Sequence, residues 1–334
     1  MQYGSVSLSL DQLVADGVID DALAARLTAY RKSGLAGPLV SVLYILGALA
    51  VAAGVVALVP TATTGLVLAI VALAGGWAMG RLADASYRIL SLGLATTGAL
   101  GLAGWFALEF GDVLSPITVN GVVTLIVLAV AVAFRSHFLA ALVPLGIGAM
   151  LGSGTAYWHA TYAIFVREPL ITTLLFGALV LGLVHAVDRN WLPRAYAAMA
   201  EVAMRMSFVL ANLGLWVGSL WGDRVGEHLA GVREHVVGES SADRRDRLAA
   251  WREDALTIPD EAFVVGWLAL AAAAIVWGGR MNRRFVAVGG VVFLAINAYT
   301  QFFAHFQFEA GTLVLAGVSM VALAIGLVRY GRKI

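Results

Sequence analysis

Long apolar runs separated by short polar gaps dominate the chain, and ten of these runs approach the length of a bilayer crossing. A helix rises about 1.5 Å per residue, so about 20 apolar residues cross the hydrocarbon core. The runs lack the two-residue alternation of barrel strands, which favours helices. The pattern predicts an all-α fold, a polytopic membrane bundle of about ten transmembrane helices. The runs lie near residues 39–59, 62–80, 89–108, 116–134, 138–157, 169–187, 199–221, 262–279, 285–303 and 310–328.

The first 37 residues are polar and acidic, and they predict a small cytosolic helical hairpin ahead of a bundle that occupies 38–334. Ser9 has capping-box spacing at the start of one helix, and Asp20 can cap a second helix. The hairpin is either a DNA-binding helix-turn-helix or a surface that packs on the bundle or on a protein partner. Four aspartates against three basic residues argue against DNA, so we expect no nucleic-acid partner.

The longest gap between apolar runs spans 222–261 and is rich in charge. Val225, Leu229 and Val232 follow helical spacing, and Leu248 and Trp251 resume it further on. Two short amphipathic helices on the outer membrane interface would explain this pattern. A solvated loop that docks a protein partner would explain it equally well.

Composition agrees with a membrane location and excludes several kinds of site. The chain is 60% hydrophobic and 13% charged, whereas soluble proteins carry about 25% charged residues. A net charge of +1 does not suit a nucleic-acid surface. The absence of cysteine excludes disulfides, thiolate zinc sites and cysteine nucleophiles. We expect membrane lipids as partners and no cofactor.

Basic residues occupy alternate gaps, which sets the predicted orientation. The intervening short gaps contain only Arg167 as a basic residue. This alternation predicts an even number of crossings with both termini in the cytoplasm. The residues on the cytoplasmic side would be Arg26, Arg31, Lys32, Arg81, Arg88, Arg135, Arg189, Arg194, Arg280, Arg283, Arg284, Arg329, Arg332 and Lys333.

Polar side chains within the apolar runs are the candidate functional residues, because ionisable and polar groups are costly in lipid. Glu201 and Arg205 stand one helical turn apart in the seventh run, with Asn212 two turns further on. The pair could line a polar cavity. Alternatively, it could be a helix-end ion pair in which Arg205 extends to the cytoplasmic interface.

A second polar face lies on the ninth run, where Asn297, Gln301 and His305 recur at every fourth residue. This face could line a substrate pocket or a proton path. It could instead make hydrogen bonds between helices, with His305 at the interface. Nearby carboxylates and imidazoles have no spacing that fixes a metal site, so we predict none. These residues are Glu109, Asp112, His159 and Glu309.

Both ends of the chain resemble one known family. The segment "LDQLVADGVIDDALAARLTAYR" followed by "LVSVLYILGALAVAAGVVALV" and the terminal "NAYTQFFAHFQFEAGTLVLAGVSMVALAIGLVRYGRK" are similar to bacterial membrane proteins grouped as domain of unknown function 2157. The charged 222–261 loop departs from that family. The resemblance implies a multi-pass protein of the bacterial inner membrane, and it implies no activity or site.

Two classes of function fit these observations. The first is a non-enzymatic membrane protein that acts as a scaffold, a sensor or an accessory subunit of a complex. The alternative is a secondary transporter of a small apolar or lipid-like substrate. We do not expect an enzyme, because no nucleophile–base or metal-ligand spacing is recognisable.

Overall fold

Helices make up most of the protein in the computed structural model. The chain divides into two compact units, Met1–Glu109 and Phe110–Ile334. The structure describes residues 14, 18–20, 22–24, 47, 61–82, 85–158, 161–233, 240–306, 311, 314 and 317–318.

The first unit contains a pair of helices, α1 (Ala62–Gly80) and α2 (Ala85–Phe110, whose last residue falls in the second unit). Thr61 caps α1 by accepting a hydrogen bond from the Thr64 amide. Small residues let the two backbones approach: a Cβ on Gly76 would lie 3.0 Å from the Ser91 carbonyl oxygen. The Ser91 hydroxyl donates to the Gly76 carbonyl at 2.7 Å, which fixes the pair.

The second unit contains a helix bundle and, inserted between its helices, two short two-stranded sheets and two short helices. The bundle helices are α3 (Pro116–Phe134), α4 (His137–Met150), α5 (Pro169–Asp188), α6 (Arg194–Trp221), α9 (Asp260–Arg280) and α10 (Arg284–Phe306). The insertions are β1 (Gly154–Trp158), β2 (Thr161–Phe165), β3 (Asp223–Arg224), α7 (Glu227–Arg233), α8 (Ser241–Asp254) and β4 (Thr257–Ile258). We call these insertions together the cap.

Helix α6 occupies the centre of the second unit. It packs against α4, α5, α9 and α10, and 61% of its apolar window is buried, against 28% or less in the other spans. Its core partners include Phe176, Phe263 and Trp267, each of which is buried. The central position explains why α6 tolerates more polar residues than its neighbours, since protein rather than lipid surrounds them.

Three short helix–helix turns meet at one end of this unit. Arg283, between α9 and α10, hydrogen-bonds Asp188 at the end of α5. The guanidinium of Arg135, between α3 and α4, lies 5.8 Å from the ring of Tyr196 at the start of α6. Each turn contains a residue with a left-handed backbone, which ends a helix abruptly: Arg135, Asn190 and Asn282. The cap lies at the opposite ends of these helices.

Seven described helices are long and apolar enough to span a membrane. The predicted class of fold, a helical membrane protein, is therefore confirmed, whereas the predicted number of about ten helices is not. The runs at 39–59 and 310–328 lie almost wholly outside the described residues. Of the N-terminal hairpin, the structure describes only fragments. Asp20 accepts a hydrogen bond from the Leu23 amide at 2.6 Å, as a helix cap does.

The predicted crossing at 138–157 is wrong in its second half. Helix α4 ends at Met150 after 14 residues, which is about 21 Å and too short to span the hydrocarbon core. Gly152 then adopts a φ of +75°, a conformation that ends the helix. The following β-branched and aromatic residues pair as β1 and β2, from Gly154 opposite Phe165 to Trp158 opposite Thr161.

Candidate functional site

A buried carboxylate fastens the cap to the bundle. Glu168, directly before Pro169 at the start of α5, is fully buried. Its Oε2 accepts from the Gly226 amide at 2.7 Å, and its Oε1 accepts from the amides of His228 at 2.6 Å and Leu229 at 3.4 Å. One side chain thus satisfies three backbone donors at the start of α7, Gly226 just before the helix and His228 and Leu229 in its first turn, where amides have no partner within the helix.

Asp223 makes the reciprocal contact from the cap to the bundle. Its Oδ2 accepts from the Leu170 amide at 2.8 Å, a donor in the first turn of α5 that has no partner within the helix. Burial, together with the nearby carboxylates of Glu168 and Glu227, raises the pKa of Asp223 from 3.8 to about 6, against the opposing effect of the Leu170 hydrogen bond. Asp223 therefore titrates closer to neutrality than an ordinary aspartate does.

The ends of the long cap segment are closed by β3 and β4. Asp223 pairs with Ile258, Arg224 pairs with Thr257, and the Val225 amide donates to the Leu256 carbonyl at 3.0 Å. The predicted pair of short helices in 222–261 is confirmed as α7 and α8. The two ends of the segment are therefore joined to each other, and Asp223 attaches the first of them to α5.

Between the cap and the ends of α3 and α4 lies a cavity of about 750 Å³, which we call the cap pocket. Its wall includes apolar residues from three elements, Pro116, Phe165 and Leu248. Its polar residues are Asn120, Ser153, Arg167, Glu227, His228 and Arg252. A concave site in which several polar side chains converge beside apolar surface can bind a small molecule, the apolar part supplying contact area and the polar groups orientation.

The imidazole of His228 is held in a fixed position at the pocket wall. It hydrogen-bonds the backbone of Met150, the last residue of α4. The ring lies against Gly152, where a Cβ would come within 2.8 Å of it. Since Nε2 is buried without a partner among the described residues, Nδ1 makes the Met150 bond. Burial and the charge of Arg167 lower the pKa of His228, so the ring is neutral near pH 7.

The end of α4 receives a second polar contact inside the pocket. The Asn120 side chain on α3 donates to the Ala149 carbonyl at 3.1 Å. The last carbonyls of a helix have no partner within it, so Asn120 and His228 together satisfy the end of a short helix. Among the described residues, the pocket groups left without a partner are then the His228 Nε2 and Ser153 Oγ atoms, and Arg167 is left without an ion-pair partner.

The pocket has more positive than negative charge. Glu227, its one carboxylate, is hydrogen-bonded by Arg252 and lies 3.8 Å from Arg224. The guanidinium of Arg167 lies 5.9 Å from the ring of Phe165, and no described carboxylate is within ion-pair distance of it. Arg167 is exposed and thus presents a fork of hydrogen-bond donors that has no ion-pair partner among the described residues, a geometry suited to carboxylate or phosphate oxygens.

The polar residues predicted from α6 lie in two environments. Glu201 and Arg205 form an ion pair at 3.7 Å on a half-exposed face, with Arg205 5.6 Å from the ring of Phe285. Asn212 is buried; it donates to the Phe208 carbonyl at 2.8 Å and accepts from the indole of Trp267 at 3.0 Å. The structure does not bring this pair and Asn212 into one cavity.

The first residue of the polar face predicted on α10, Asn297, lies in the packed interior of the bundle. Asn297 is 1% exposed and donates to the Val264 carbonyl on α9 at 3.4 Å. Gln301 is half-buried one turn further on, and the side chain of His305 lies outside the described residues. Among the residues that the structure describes, no three His, Asp or Glu side chains come together as metal ligands; His159 and Glu309 lie outside this set.

Sequence reasoning missed the residues of the cap pocket. The carboxylate of Glu168 accepts hydrogen bonds from amides about 60 positions further along the chain, so no local sequence pattern indicates these contacts. One usable signal was the Arg167–Glu168–Pro169 triplet between two apolar runs, where Pro169 marks a helix start and an adjacent acid is free to cap.

A smaller cavity lies among the bundle helices. It has a volume of about 340 Å³ between α5, α6 and α9, and its walls are mostly hydrocarbon, from residues such as Val180, Leu215 and Leu270. Its polar residues, Thr173 and Asn212, bond to neighbouring backbone or side-chain groups. The charged groups that line these two cavities therefore all belong to the cap pocket.

Comparison of the chain with models of protein families, with curated proteins and with solved structures finds no match. No activity or residue role can therefore be transferred from another protein. Functional conclusions rest on the cap pocket, on the packing of the bundle and on the contacts between the two.

Proposed function

We propose that this protein is a non-enzymatic integral membrane protein of the sensor or accessory-subunit kind, in which the bundle is the anchor and the cap pocket receives a small polar ligand. One observation carries the proposal: the cavity with charged residues in its wall, the cap pocket, lies outside the spans, whereas the cavity among the bundle helices has mostly hydrocarbon walls. A receptor needs a ligand site but no route across the membrane.

The packing of the bundle supports an anchor rather than a conduit. Glycines bring helices into direct backbone contact: a Cβ on Gly214 would lie 3.0 Å from the Pro169 carbonyl oxygen, and one on Gly290 would lie 3.0 Å from that of Ala271. Such close approach is typical of stable membrane helix packing. The buried amides of Asn212 and Asn297 donate to backbone carbonyls, consistent with hydrogen bonds between and within helices.

The pocket chemistry supports binding rather than catalysis. Ser153 follows Gly152, which contacts the imidazole of His228, and lines the cap pocket together with His228. The Ser153 Oγ, however, is buried and makes no hydrogen bond to a described residue. A serine nucleophile needs a hydrogen-bonded base that is itself oriented, and this arrangement supplies no such pair.

A secondary transporter is the second candidate, and the 340 Å³ cavity in the bundle favours it. Its hydrocarbon walls would suit an apolar substrate of the kind expected from the sequence. The two proposals differ in whether water reaches the interior of the bundle.

Single cysteines test this difference, since the natural chain has none. Ala211→Cys places a thiol in the bundle cavity, Ala271→Cys places one in the adjacent core, and Ala242→Cys on the exposed face of α8 is the control. In vesicles, a charged thiol reagent should label only Ala242→Cys until the protein is denatured. Labelling of Ala211→Cys at a rate similar to the control would favour the transporter and contradict the sensor proposal.

We propose the bacterial inner membrane as the location, with the termini and the three basic turns in the cytoplasm and the cap outside. The short turns with Arg135, Arg189 and Arg283 support this orientation under the positive-inside rule. The similarity to domain of unknown function 2157 supports the bacterial location, although most of the segments that carry it lie outside the described residues.

A further inference from the structure

In the described part of the chain, the cap pocket combines an arginine that has no ion-pair partner with an apolar wall, and this combination defines a ligand class. We propose that it binds an amphiphilic organic anion, with a carboxylate or phosphate group on Arg167 and a hydrocarbon part against Phe165, Pro116 and Leu248. This inference rests on the proposed function and specifies its ligand.

The charges of the pocket select an anion. Two arginines, Arg167 and Arg252, face one carboxylate, Glu227, and Arg252 already bonds that carboxylate. His228 is neutral near pH 7, because burial and Arg167 lower its pKa. Arg167 therefore remains as a cation whose planar fork matches two oxygens of a carboxylate or phosphate.

The apolar wall selects a ligand with a hydrocarbon part. Phe165 is 37% exposed and stands beside Arg167 on the pocket side of β2, and Pro116 and Leu248 complete the wall. A bare ion would leave this surface in contact with water. A hydrocarbon chain of several carbons would bury it and gain affinity in proportion to the apolar area covered. A volume of about 750 Å³ is ample for such a molecule.

The position of the pocket fits the same class. Pro116 and Arg167 stand at the starts of the span-length helices α3 and α5, so the pocket lies where the apolar spans end. Amphiphilic molecules concentrate at this boundary between hydrocarbon and water. The anion could therefore be the headgroup of a membrane phospholipid or the carboxylate of a soluble amphiphilic acid, and binding measurements separate these sources.

The test uses the full chain in phosphatidylcholine nanodiscs and four probes. Octanoate and a short-chain phosphatidylglycerol carry both features of the proposed ligand. Acetate carries only the charge, and octanol carries only the chain. We expect saturable binding of at least one of the two amphiphilic anions, and much weaker binding of acetate and octanol. Tighter binding of phosphatidylglycerol would indicate that the natural ligand is a membrane phospholipid. Tighter binding of octanoate would indicate a soluble amphiphilic acid.

Matched variants locate the binding site. Arg167→Gln should weaken binding of the amphiphilic anion about tenfold, the order expected for loss of a charge-assisted contact. Arg245→Gln, on an exposed face of α8, removes the same charge from the cap outside the pocket and should leave the affinity unchanged. Arg167→Lys keeps the positive charge but removes the planar pair of guanidinium donors, so it should lose an intermediate amount of affinity for the anion. Leu248→Ala should weaken octanoate more than acetate.

Three results would overturn the inference. The first is no saturable binding of either amphiphilic anion, and the second is equal affinity for octanol and octanoate. The third is an equal loss of affinity for the anion in Arg167→Gln and in Arg245→Gln. Failure here is distinct from failure of the proposed function. If the anions do not bind while Ala211→Cys stays unlabelled, the ligand class is wrong and the sensor proposal stands. If the anions bind and Ala211→Cys is labelled, the pocket is a ligand site on a transporter.

Discussion

Two acids attach the cap to the bundle through reciprocal hydrogen bonds. Glu168, next to α5, accepts three amides from the cap, and Asp223, in the cap, accepts one amide from α5. Each acid satisfies backbone donors that the partner segment cannot satisfy itself. The pocket between the two segments therefore depends on residues that do not themselves line it.

Replacing Glu168 should loosen the cap without unfolding the bundle. Glu168→Ala leaves the amides of Gly226 and His228 buried without an acceptor, which costs about 1–3 kcal/mol for each stranded group. We expect faster amide exchange in 222–233 with little change in α9, measured by hydrogen-exchange mass spectrometry. Glu261→Gln, at an exposed position, is the control. Unchanged exchange in Glu168→Ala would contradict the proposed attachment.

Asp223 should make stability depend on pH. Its pKa rises from 3.8 to about 6 on folding, so the folded protein binds this proton more tightly than the unfolded chain does. Between these values, stability from this group falls as pH rises. Wild-type protein should therefore lose melting temperature relative to Asp223→Asn from about pH 4 to about pH 7 in detergent. Parallel melting profiles for the two proteins would show that Asp223 does not titrate in this range.

At the scale of elements, the sequence predicted most helices and missed one transition. Span-length helices lie close to seven of the ten apolar runs, because lipid requires long uninterrupted helices and so imposes a strong pattern. The run at 138–157 failed because hydropathy does not distinguish the end of α4 from the start of β1. The available signals in the sequence were Gly152, a residue type that often ends a helix, and the β-branched and aromatic residues after Gly154.

Close packing of α9 on α10 gives a prediction at this scale. A Cβ on Gly278 would lie 2.5 Å from the Ala287 backbone nitrogen, and backbone cannot move aside as a side chain can. Gly278→Ala should therefore destabilise the bundle by about 1–3 kcal/mol, the usual cost of overpacking. Gly266→Ala, on the same helix with open space at the Cβ, should be neutral or slightly stabilising. Thermal unfolding in detergent gives the melting temperatures of the two variants. An equal change of melting temperature in both would contradict close packing at Gly278.

At the scale of the molecule, the second unit has two chemically different ends. Basic turns, joined by the Arg283–Asp188 contact, form one end, and the cap forms the other. The sequence indicated the basic turns, since charge alternation is local to each gap. It could not indicate the cap pocket, because the contacts of Glu168 and Asp223 bridge more than 50 residues. Sequence reasoning therefore ranked Asn297, Gln301 and His305 above the pocket arginines.

The central claim is that the cap and the basic turns lie on opposite sides of a membrane, with the apolar helices between them. Reporter domains inserted after Asn190, after Asn282 and after Ala242 measure this directly in intact bacterial cells. We predict cytoplasmic signals at Asn190 and Asn282 and an external signal at Ala242. A cytoplasmic signal at Ala242, or signals of the same side at all three positions, would contradict the account.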